Sequence, residues 1–170
     1  MFKLITPDKS YQSQWEEIMS EWDNSDKRPR IFFQESYDLF LEKALQLSQG
    51  DNIEKSIPKS SLFFLVNEAD SARILWFLWL RHHIEFINDK KFSWHIGYGV
   101  RPSERGKWYA TEMLKLGLIE AQKVWIEKLF ISCDDDNIAS AKVIEINGGI
   151  LEKYMEKDGV KMRRYWINLL

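Results

Sequence analysis

The segment at residues 100–110 constrains the fold of this chain more than any other, because it joins a strand-like run to a helix-like run. Residues 92–100 are rich in aromatic and apolar side chains, and residues 109–123 carry small or apolar side chains at helical spacing. The connection between them is basic and contains Gly106. A helix that begins after such a turn has unpaired N–H groups and a positive end. This order predicts an anion site built from main-chain amides.

Composition and charge exclude several classes of protein. The chain has 170 residues, of which 45% are hydrophobic and 29% are charged, so we expect one globular domain over residues 1–170. A net charge of −2 offers no attraction to nucleic acid or to an anionic membrane. The single cysteine, Cys133, excludes an intramolecular disulfide and a cysteine-built zinc site. We expect a cytoplasmic protein that needs no metal.

Hydrophobic periodicity and turn residues give the order of the predicted elements. Helices are predicted at 11–22, 37–49, 109–123 and 137–146, and strands at 2–6, 62–67, 73–81, 92–100, 128–133, 150–156 and 161–168. Strands and helices that follow one another in this way favour an α+β domain with a mostly antiparallel sheet.

Two segments carry a family resemblance. The run Arg105-Gly106-Lys107-Trp108-Tyr109-Ala110 resembles the acyl-CoA signature Arg/Gln-x-x-Gly-x-Gly/Ala of the GCN5-related N-acetyltransferases, or GNATs. The run Asn137-Ile138-Ala139-Ser140, with Gly148-Gly149 after it, resembles the second cofactor element of that family. The loop Ile57-Pro58-Lys59-Ser60-Ser61 is similar to that of an uncharacterised bacterial branch of predicted acetyltransferases.

The resemblance implies a fold and a set of cofactor contacts. It implies a mixed, mostly antiparallel sheet with helices on both faces and a V-shaped gap between two parallel central strands, here 92–100 and 128–133. Acetyl-CoA would lie in this gap as the cosubstrate. The resemblance assigns its contacts to these residues: Val100, Arg105, Gly106, Lys107, Trp108, Tyr109, Ala110, Asn137 and Ser140.

The resemblance further implies transfer of an acetyl group to a primary amine, which needs a base for the amine and a proton for the leaving thiolate. His95 and Glu85 are the candidate bases, and His95 alternates with Gly97 and Gly99 along its strand. Many family members place a tyrosine on the last helix as the acid. That position is Ile144 here, so either another group serves or the thiolate takes its proton from water.

Four tryptophans stand where this family branch usually has glycine, namely Trp76, Trp94, Trp108 and Trp125. Trp125 follows a helix at a point where glycine often adopts a positive φ. Trp108 lies among the amides expected to hold the pyrophosphate, so we expect weak or absent binding of acetyl-CoA. An inactive acyl-CoA-binding or ligand-sensing domain is the alternative. The four substitutions indicate one cause, either deliberate replacement or an unusual coding history.

The acceptor is a small molecule or a peptide that carries an amine, and the loops at 23–30 and 51–61 are expected to select it. The carboxylates of Asp134-Asp135-Asp136 either attract a cationic amine or complement the start of the next helix, and the second interpretation is favoured. Neither nucleic acid nor a membrane is expected as a partner. Dimers are common among relatives, so the resemblance is compatible with a homodimer and leaves the oligomeric state open.

Overall fold

The computed structural model describes residues 1–25, 36–50, 58–84, 94–157 and 159–170. Its helices are α1 (Gln12–Asp23), α2 (Tyr37–Gln49), α3 (Tyr109–Lys123) and α4 (Ile138–Ile146). Its strands are β1 (Phe2–Ile5), β2 (Ser60–Asn67), β3 (Asp70–Arg81), β4 (Ile96–Val100), β5 (Lys128–Asp134), β6 (Ile150–Lys157) and β7 (Val160–Asn168). Short 3₁₀ turns precede α1 at Lys9–Tyr11 and follow β4 at Pro102–Glu104. No described helix is long and apolar enough to cross a membrane.

The predicted elements are all present, and strand β4 is several residues shorter than predicted. Helix α3 begins and ends at the predicted residues, because its apolar spacing and its flanking turns are both local signals. Strand β4 begins at Ile96, so Trp94 and His95 precede the strand instead of belonging to it. Glu85, most of the loop at 23–30 and residues 51–57 lie outside the described residues.

The strands form two antiparallel sheets, in the orders β1-β2-β3-β4 and β5-β7-β6. The two sheets approach each other at β4 and β5, the parallel central strands of the fold. At the start of β4 the His95 N–H donates to the Phe130 carbonyl oxygen at 2.9 Å, and the Phe130 N–H donates to His95 Nδ1 at 2.8 Å. No strand ladder joins β4 to β5 beyond this point in the described residues. The strands therefore enclose the predicted V-shaped gap, which is closed at His95.

Two hydrophobic clusters cover the opposite faces of the first sheet. Strand β3 alternates between them, because successive side chains of a strand point to opposite faces. Leu78 belongs to the cluster under α3 and α4, whereas Phe77 belongs to the cluster under α1 and α2. The helices thus lie on both faces, as predicted. This arrangement directs the first residues of α3 and α4 toward the gap.

Candidate functional site

The turn before α3 presents a row of free main-chain amides. The Arg105 N–H is used internally, since it donates to the Pro102 carbonyl oxygen at 3.3 Å. Among the described residues, no hydrogen-bond acceptor meets the N–H groups of 106–110. Gly106 has φ 78°, and a Cβ added there would meet nothing within 4 Å. These amides and the start of a 15-residue helix form a site suited to an anionic group.

Trp108 is the N-cap of α3 and adopts a left-handed backbone, with φ 64° and ψ −2°. Its side chain makes no capping hydrogen bond, and it is 77% exposed. The indole therefore points away from the core, at the mouth of the site. It does not fill the space in front of the amides as a buried side chain would.

The two predicted basic residues beside the amides have partners within the protein. Lys107 Nζ lies 2.9 Å from Glu104 Oε2, and Arg73 Nη2 lies 2.9 Å from the other oxygen of the same carboxylate. Burial of Glu104 favours its protonated form, but the Lys107 and Arg73 cations outweigh that effect and lower the pKa of the carboxyl. Arg105 Nη1 donates to Ser25 Oγ at 3.0 Å. The positive charge near the amides is thus partly neutralised.

A cavity of about 660 Å³ lies between the end of β4 and the first residues of α3 and α4. Its size suits a ligand larger than a simple anion. It brings together the predicted cofactor residues and several that were not predicted. Its lining consists of Trp76, Tyr98, Gly99, Val100, Arg105, Gly106, Lys107, Trp108, Tyr109, Ala110, Thr111, Asp136, Asn137, Ile138, Ala139, Ser140, Lys142, Val143 and Ile146.

The edge of β4 offers main-chain hydrogen-bonding groups to this cavity. In an antiparallel ladder, residues alternate between those whose N–H and C=O face the partner strand and those whose groups face away. The Arg101 N–H donates to Leu75 on β3, which places Gly99 in the set that faces the partner. Tyr98 and Val100 then present their main-chain groups to the gap. The Val100 carbonyl oxygen accepts the Trp22 Nε1–H at 3.0 Å.

Tyr98 and Ser140 form a hydroxyl pair across the gap, with 2.6 Å between the Tyr98 hydroxyl oxygen and Ser140 Oγ. Burial raises the pKa of Tyr98 to about 12, against the opposing effect of the Ser140 hydrogen bond. Tyr98 thus stays protonated at neutral pH. Sequence reasoning missed this residue, although a tyrosine between two glycines on a strand at the gap was a usable signal.

The start of α4 is organised as predicted. Asn137 is its N-cap and accepts the Ser140 N–H at 3.2 Å through its side-chain oxygen. Ile144 is fully buried and carries no proton to donate. Cys133 is buried at the end of β5, where burial raises the pKa of its thiol to about 11. Asp135 forms an ion pair with Arg163 at 2.8 Å, so that carboxylate has a structural partner.

His95 lies at the closed end of the gap and is 6% exposed. Burial, together with the Arg81 cation, lowers the pKa of its ring to about 4. Its Nδ1 accepts the Phe130 N–H at 2.8 Å, so only Nε2 is left for another partner. A ring this weakly basic accepts a proton poorly at neutral pH.

The structure gives the four singled-out tryptophans different surroundings. Trp125 has φ 63° and is 91% exposed, so the predicted positive φ at that position is confirmed. Trp76 is buried, and its Nε1 finds no hydrogen-bond acceptor among the described residues. Trp94 is partly exposed and lies against Arg81, whose guanidinium carbon is 5.2 Å from the ring centroid.

No group of three or more His, Cys, Asp or Glu side chains that could hold a metal ion occurs in the described ranges. The cavity is lined by hydroxyl, amide, ammonium and guanidinium groups, which are donors that suit phosphate and carbonyl oxygens, and by the carboxylate of Asp136.

Known proteins resemble this chain in both sequence and fold. Residues 10–150 match the profile of the acetyltransferase (GNAT) domain. The ribosomal L7/L12 alpha-N-protein acetyltransferase RimL, solved in complex with coenzyme A, is 18% identical, with a TM-score of 0.73 over 98% of this chain and 93% of RimL. The microcin C7 self-immunity acetyltransferase MccE, solved with acetyl-CoA and AMP, is 17% identical, with a TM-score of 0.71 over 98% of this chain and 92% of MccE.

A further similar structure is a chimera of the spermidine N-acetyltransferase SpeG from Vibrio cholerae and hSSAT. It is 14% identical, with a TM-score of 0.65 over 99% of this chain and 95% of the chimera. No curated protein sequence matches the chain at a significant level. These comparisons give no support to the alternative of an inactive binding or sensing domain. Because the family profile covers most of the chain, this protein belongs to the GNAT family and is, by that resemblance, an acetyl-CoA-dependent N-acetyltransferase.

Proposed function

We propose that this protein transfers the acetyl group of acetyl-CoA to a primary amine of a small molecule or a peptide, and that Trp108 impairs the reaction. The observation that carries the proposal is the row of main-chain amides at 106–110, which meet no acceptor within the described part of the chain and lie at the wide end of the gap between β4 and β5. RimL is described as acting on a protein α-nitrogen and SpeG on spermidine. This supports an acceptor that carries an amine and is either a peptide or a small molecule.

Acetyl-CoA fits the polar groups along the cavity. The amides of 106–110 would hold the pyrophosphate, and Lys107 would add charge once it exchanges Glu104 for phosphate. The main-chain groups of Tyr98 and the N–H of Val100 would pair with the amides of the pantetheine arm, as an added strand pairs with a sheet edge, whereas the Val100 carbonyl oxygen is held by Trp22. This path directs the thioester toward the closed end of the gap.

The chemistry is attack of a neutral amine on the thioester carbonyl carbon. A C–N bond forms, the C–S bond breaks, the amine loses a proton and the thiolate gains one. We assign the proton donor to the Tyr98 and Ser140 hydroxyl pair, because Tyr98 lines the cavity and stays protonated. Many family members use a tyrosine on the last helix as this donor. Ile144 occupies that position here, so the hydroxyl pair would serve instead.

The base stays a prediction. His95 is the described candidate, and its Nε2 would have to take the proton, because Nδ1 is held by Phe130. Its pKa of about 4 argues that it acts by joining the two sheets more than by moving a proton. A homodimer and a cytoplasmic location also stay predictions.

Trp108 weakens cofactor binding through its backbone and its side chain. A left-handed backbone is unfavourable for a residue with a Cβ, so the turn that presents the amides is strained. The exposed indole also stands at the mouth of the cavity, where the phosphate arm must enter. Both effects disappear with glycine at this position.

Calorimetric titration with coenzyme A tests the proposal on three chains, namely the printed sequence, Trp108→Gly and Trp125→Gly. We expect weak binding by the printed chain, clearly tighter binding by Trp108→Gly and no change with Trp125→Gly. The last variant is the matched control, because Trp125 has the same φ but does not line the cavity. Micromolar affinity of the printed chain would contradict the impairment.

A thiol-release assay then tests the activity of Trp108→Gly against polyamines, amino acids and N-terminal peptides. Release of coenzyme A that depends on one of these amines supports the proposal. A chain that binds coenzyme A but releases it with none of these amines would argue against acetyl transfer.

A further inference from the structure

Trp108 and Trp125 share a backbone conformation that glycine prefers and tryptophan avoids. They have φ 64° and φ 63°, and they are the two non-glycine residues with positive φ in the described part of the chain. A Cβ in this conformation lies too close to the following carbonyl oxygen. The other described residues with positive φ are all glycines: Gly50, Gly106, Gly148 and Gly159.

Trp125 occupies the glycine position of a specific helix-ending motif. The Trp125 N–H donates to the Gln122 carbonyl oxygen at 3.0 Å, and the Ile126 N–H donates to the Ala121 carbonyl oxygen at 3.1 Å. Ile126 and Ala121 are both buried, which adds the hydrophobic contact of the motif. These paired bonds define a Schellman ending, in which the residue at the Trp125 position is left-handed and usually glycine.

Helix α4 ends in the same motif with the expected residue. The Gly148 N–H donates to the Glu145 carbonyl oxygen at 3.0 Å, and the Gly149 N–H donates to the Ile144 carbonyl oxygen at 2.9 Å. Gly148 has φ 86° and corresponds to Trp125 in α3. The two helix ends thus make the same pair of main-chain hydrogen bonds. The left-handed position holds glycine at the end of α4 and tryptophan at the end of α3.

Neither indole is stabilised by packing that would offset its strained backbone. Trp108 is 77% exposed and Trp125 is 91% exposed, whereas Trp15 is 2% exposed and Trp22 is 5% exposed. Trp15 stacks on Phe40 with 4.2 Å between ring centroids, and Trp22 donates a hydrogen bond to Val100. The chain therefore contains tryptophans with a structural role and tryptophans without one.

The amino-acid composition also indicates that some tryptophans occupy glycine positions. Eight tryptophans and eight glycines occur in 170 residues. Glycine at 76, 94, 108 and 125 would bring its share to the usual value of about 7%. It would also remove the unpaired Nε1–H of Trp76, a buried donor with no acceptor among the described residues.

We propose that the functional protein carries glycine at positions 108 and 125, and that both codons are UGA. This codon is a stop in the standard code, tryptophan in some bacterial codes and glycine in others. A host that decodes UGA as glycine would insert glycine at each UGA that a tryptophan code reads as tryptophan, whereas UGG specifies tryptophan in both codes. The inference stands apart from acetyl transfer, because the gene and the polypeptide test it directly.

The first test compares the codons within the gene. We expect UGA at 108 and 125, and UGG at 15 and 22, where the indole is packed. UGG at either 108 or 125 overturns the proposal. The second test is the mass of the peptides that contain residues 108 and 125, from protein isolated from its native host. Glycine masses support the proposal, and tryptophan masses overturn it.

A third test asks whether position 125 requires glycine. Urea unfolding of Trp125→Gly should show a folding equilibrium constant about 5- to 30-fold higher than that of the printed chain. Trp125→Ala is the matched control, since it removes the indole but keeps the Cβ. We expect alanine to recover only a small part of the gain. An equal gain from alanine and glycine would show that the backbone does not demand glycine and would overturn the proposal.

Discussion

Arg101 and Glu21 form an ion pair that ties α1 to the segment leading into the cofactor turn, with 2.6 Å between Arg101 Nε and Glu21 Oε1. The Arg101 side chain is completely buried, and it also pairs with Glu17 and with Gln14 at 3.0 Å. The second oxygen of Glu21 accepts the Ser103 N–H at 3.0 Å. Helix α1 therefore holds the main chain three residues before the first free amide of the site.

Replacing Glu21 by Gln should lower the free energy of unfolding by about 1–3 kcal/mol, because Arg101 is buried and loses one of its charged partners. Coenzyme A should bind up to about tenfold more weakly, equivalent to 1.4 kcal/mol, because the Ser103 N–H loses a charged acceptor. Glu17→Gln is the matched control, since it removes a partner of Arg101 without touching Ser103. Equal loss of affinity in both variants would refute a link through Ser103.

Stability should decline in acid because folding lowers the pKa values of the Glu21 and Glu104 carboxyls. Burial of Glu21 is outweighed by its bonds to Ser103 and Arg101, and burial of Glu104 by Lys107 and Arg73, so both pKa values lie below 4.5. A carboxyl whose pKa is lowered on folding stabilises the fold above its unfolded pKa, and this contribution is lost as the pH falls through the lower folded pKa. Urea midpoints measured from about pH 7 to about pH 3 check this, and Glu21→Gln should flatten part of the decline.

His95 should add a pH dependence at higher pH. The pKa of His95 is about 4 in the folded chain, and its ordinary value is 6.5. Between these two pH values the unfolded chain therefore binds a proton at His95 that the folded chain does not bind. Stability should thus fall by roughly 3 kcal/mol as the pH drops from 6.5 toward 4. His95→Asn keeps an acceptor for the Phe130 N–H and should remove this decline. A rate profile with an inflection near 6.5 that disappears in this variant would instead identify His95 as the base.

Gly117 sets the distance of α3 from the sheet and hence the position of the free amides. A Cβ on Gly117 would lie 2.5 Å from Leu78 Cδ1 and 3.3 Å from Ile96 Cδ1, and both side chains are buried. Gly117→Ala should therefore cost about 1–3 kcal/mol from overpacking, against about 1 kcal/mol gained in helix propensity. Thermal unfolding measures the net loss. A variant more stable than the parent would mean that Leu78 moves aside freely.

The features that sequence reasoning predicted depend on neighbouring residues. The bounds of α3, the Asn137 cap and the positive φ of Trp125 follow from spacing, capping and turn chemistry within a few residues. The missed features depend on residues far apart in the chain. Tyr98 and Ser140 are 42 residues apart, and Arg101 and Glu21 are 80 residues apart. No local pattern distinguishes an arginine that will be buried between helix and sheet from one that is solvated.

The start of β4 shows how a local pattern misleads. Alternation of His95 with the glycines after it predicted a strand residue with an open face. The ring instead lies before the strand, where it accepts a hydrogen bond from Phe130. That bond joins two sheets, and alternation within a single strand carries no information about it.

The hydroxyl pair provides the sharpest test of the chemistry. In a Trp108→Gly background that binds coenzyme A, Tyr98→Phe should lower kcat by about 10²-fold and leave coenzyme A affinity unchanged, because the ring and the main-chain groups remain. Val143→Ala, at another lining residue with no acidic proton, is the matched control and should leave kcat within a few fold. The decrease in kcat caused by Tyr98→Phe should be smaller with an acyl donor whose leaving thiol is more acidic, since such a thiolate departs without a proton. An unchanged kcat for Tyr98→Phe would mean that the thiolate leaves unaided and takes its proton from water.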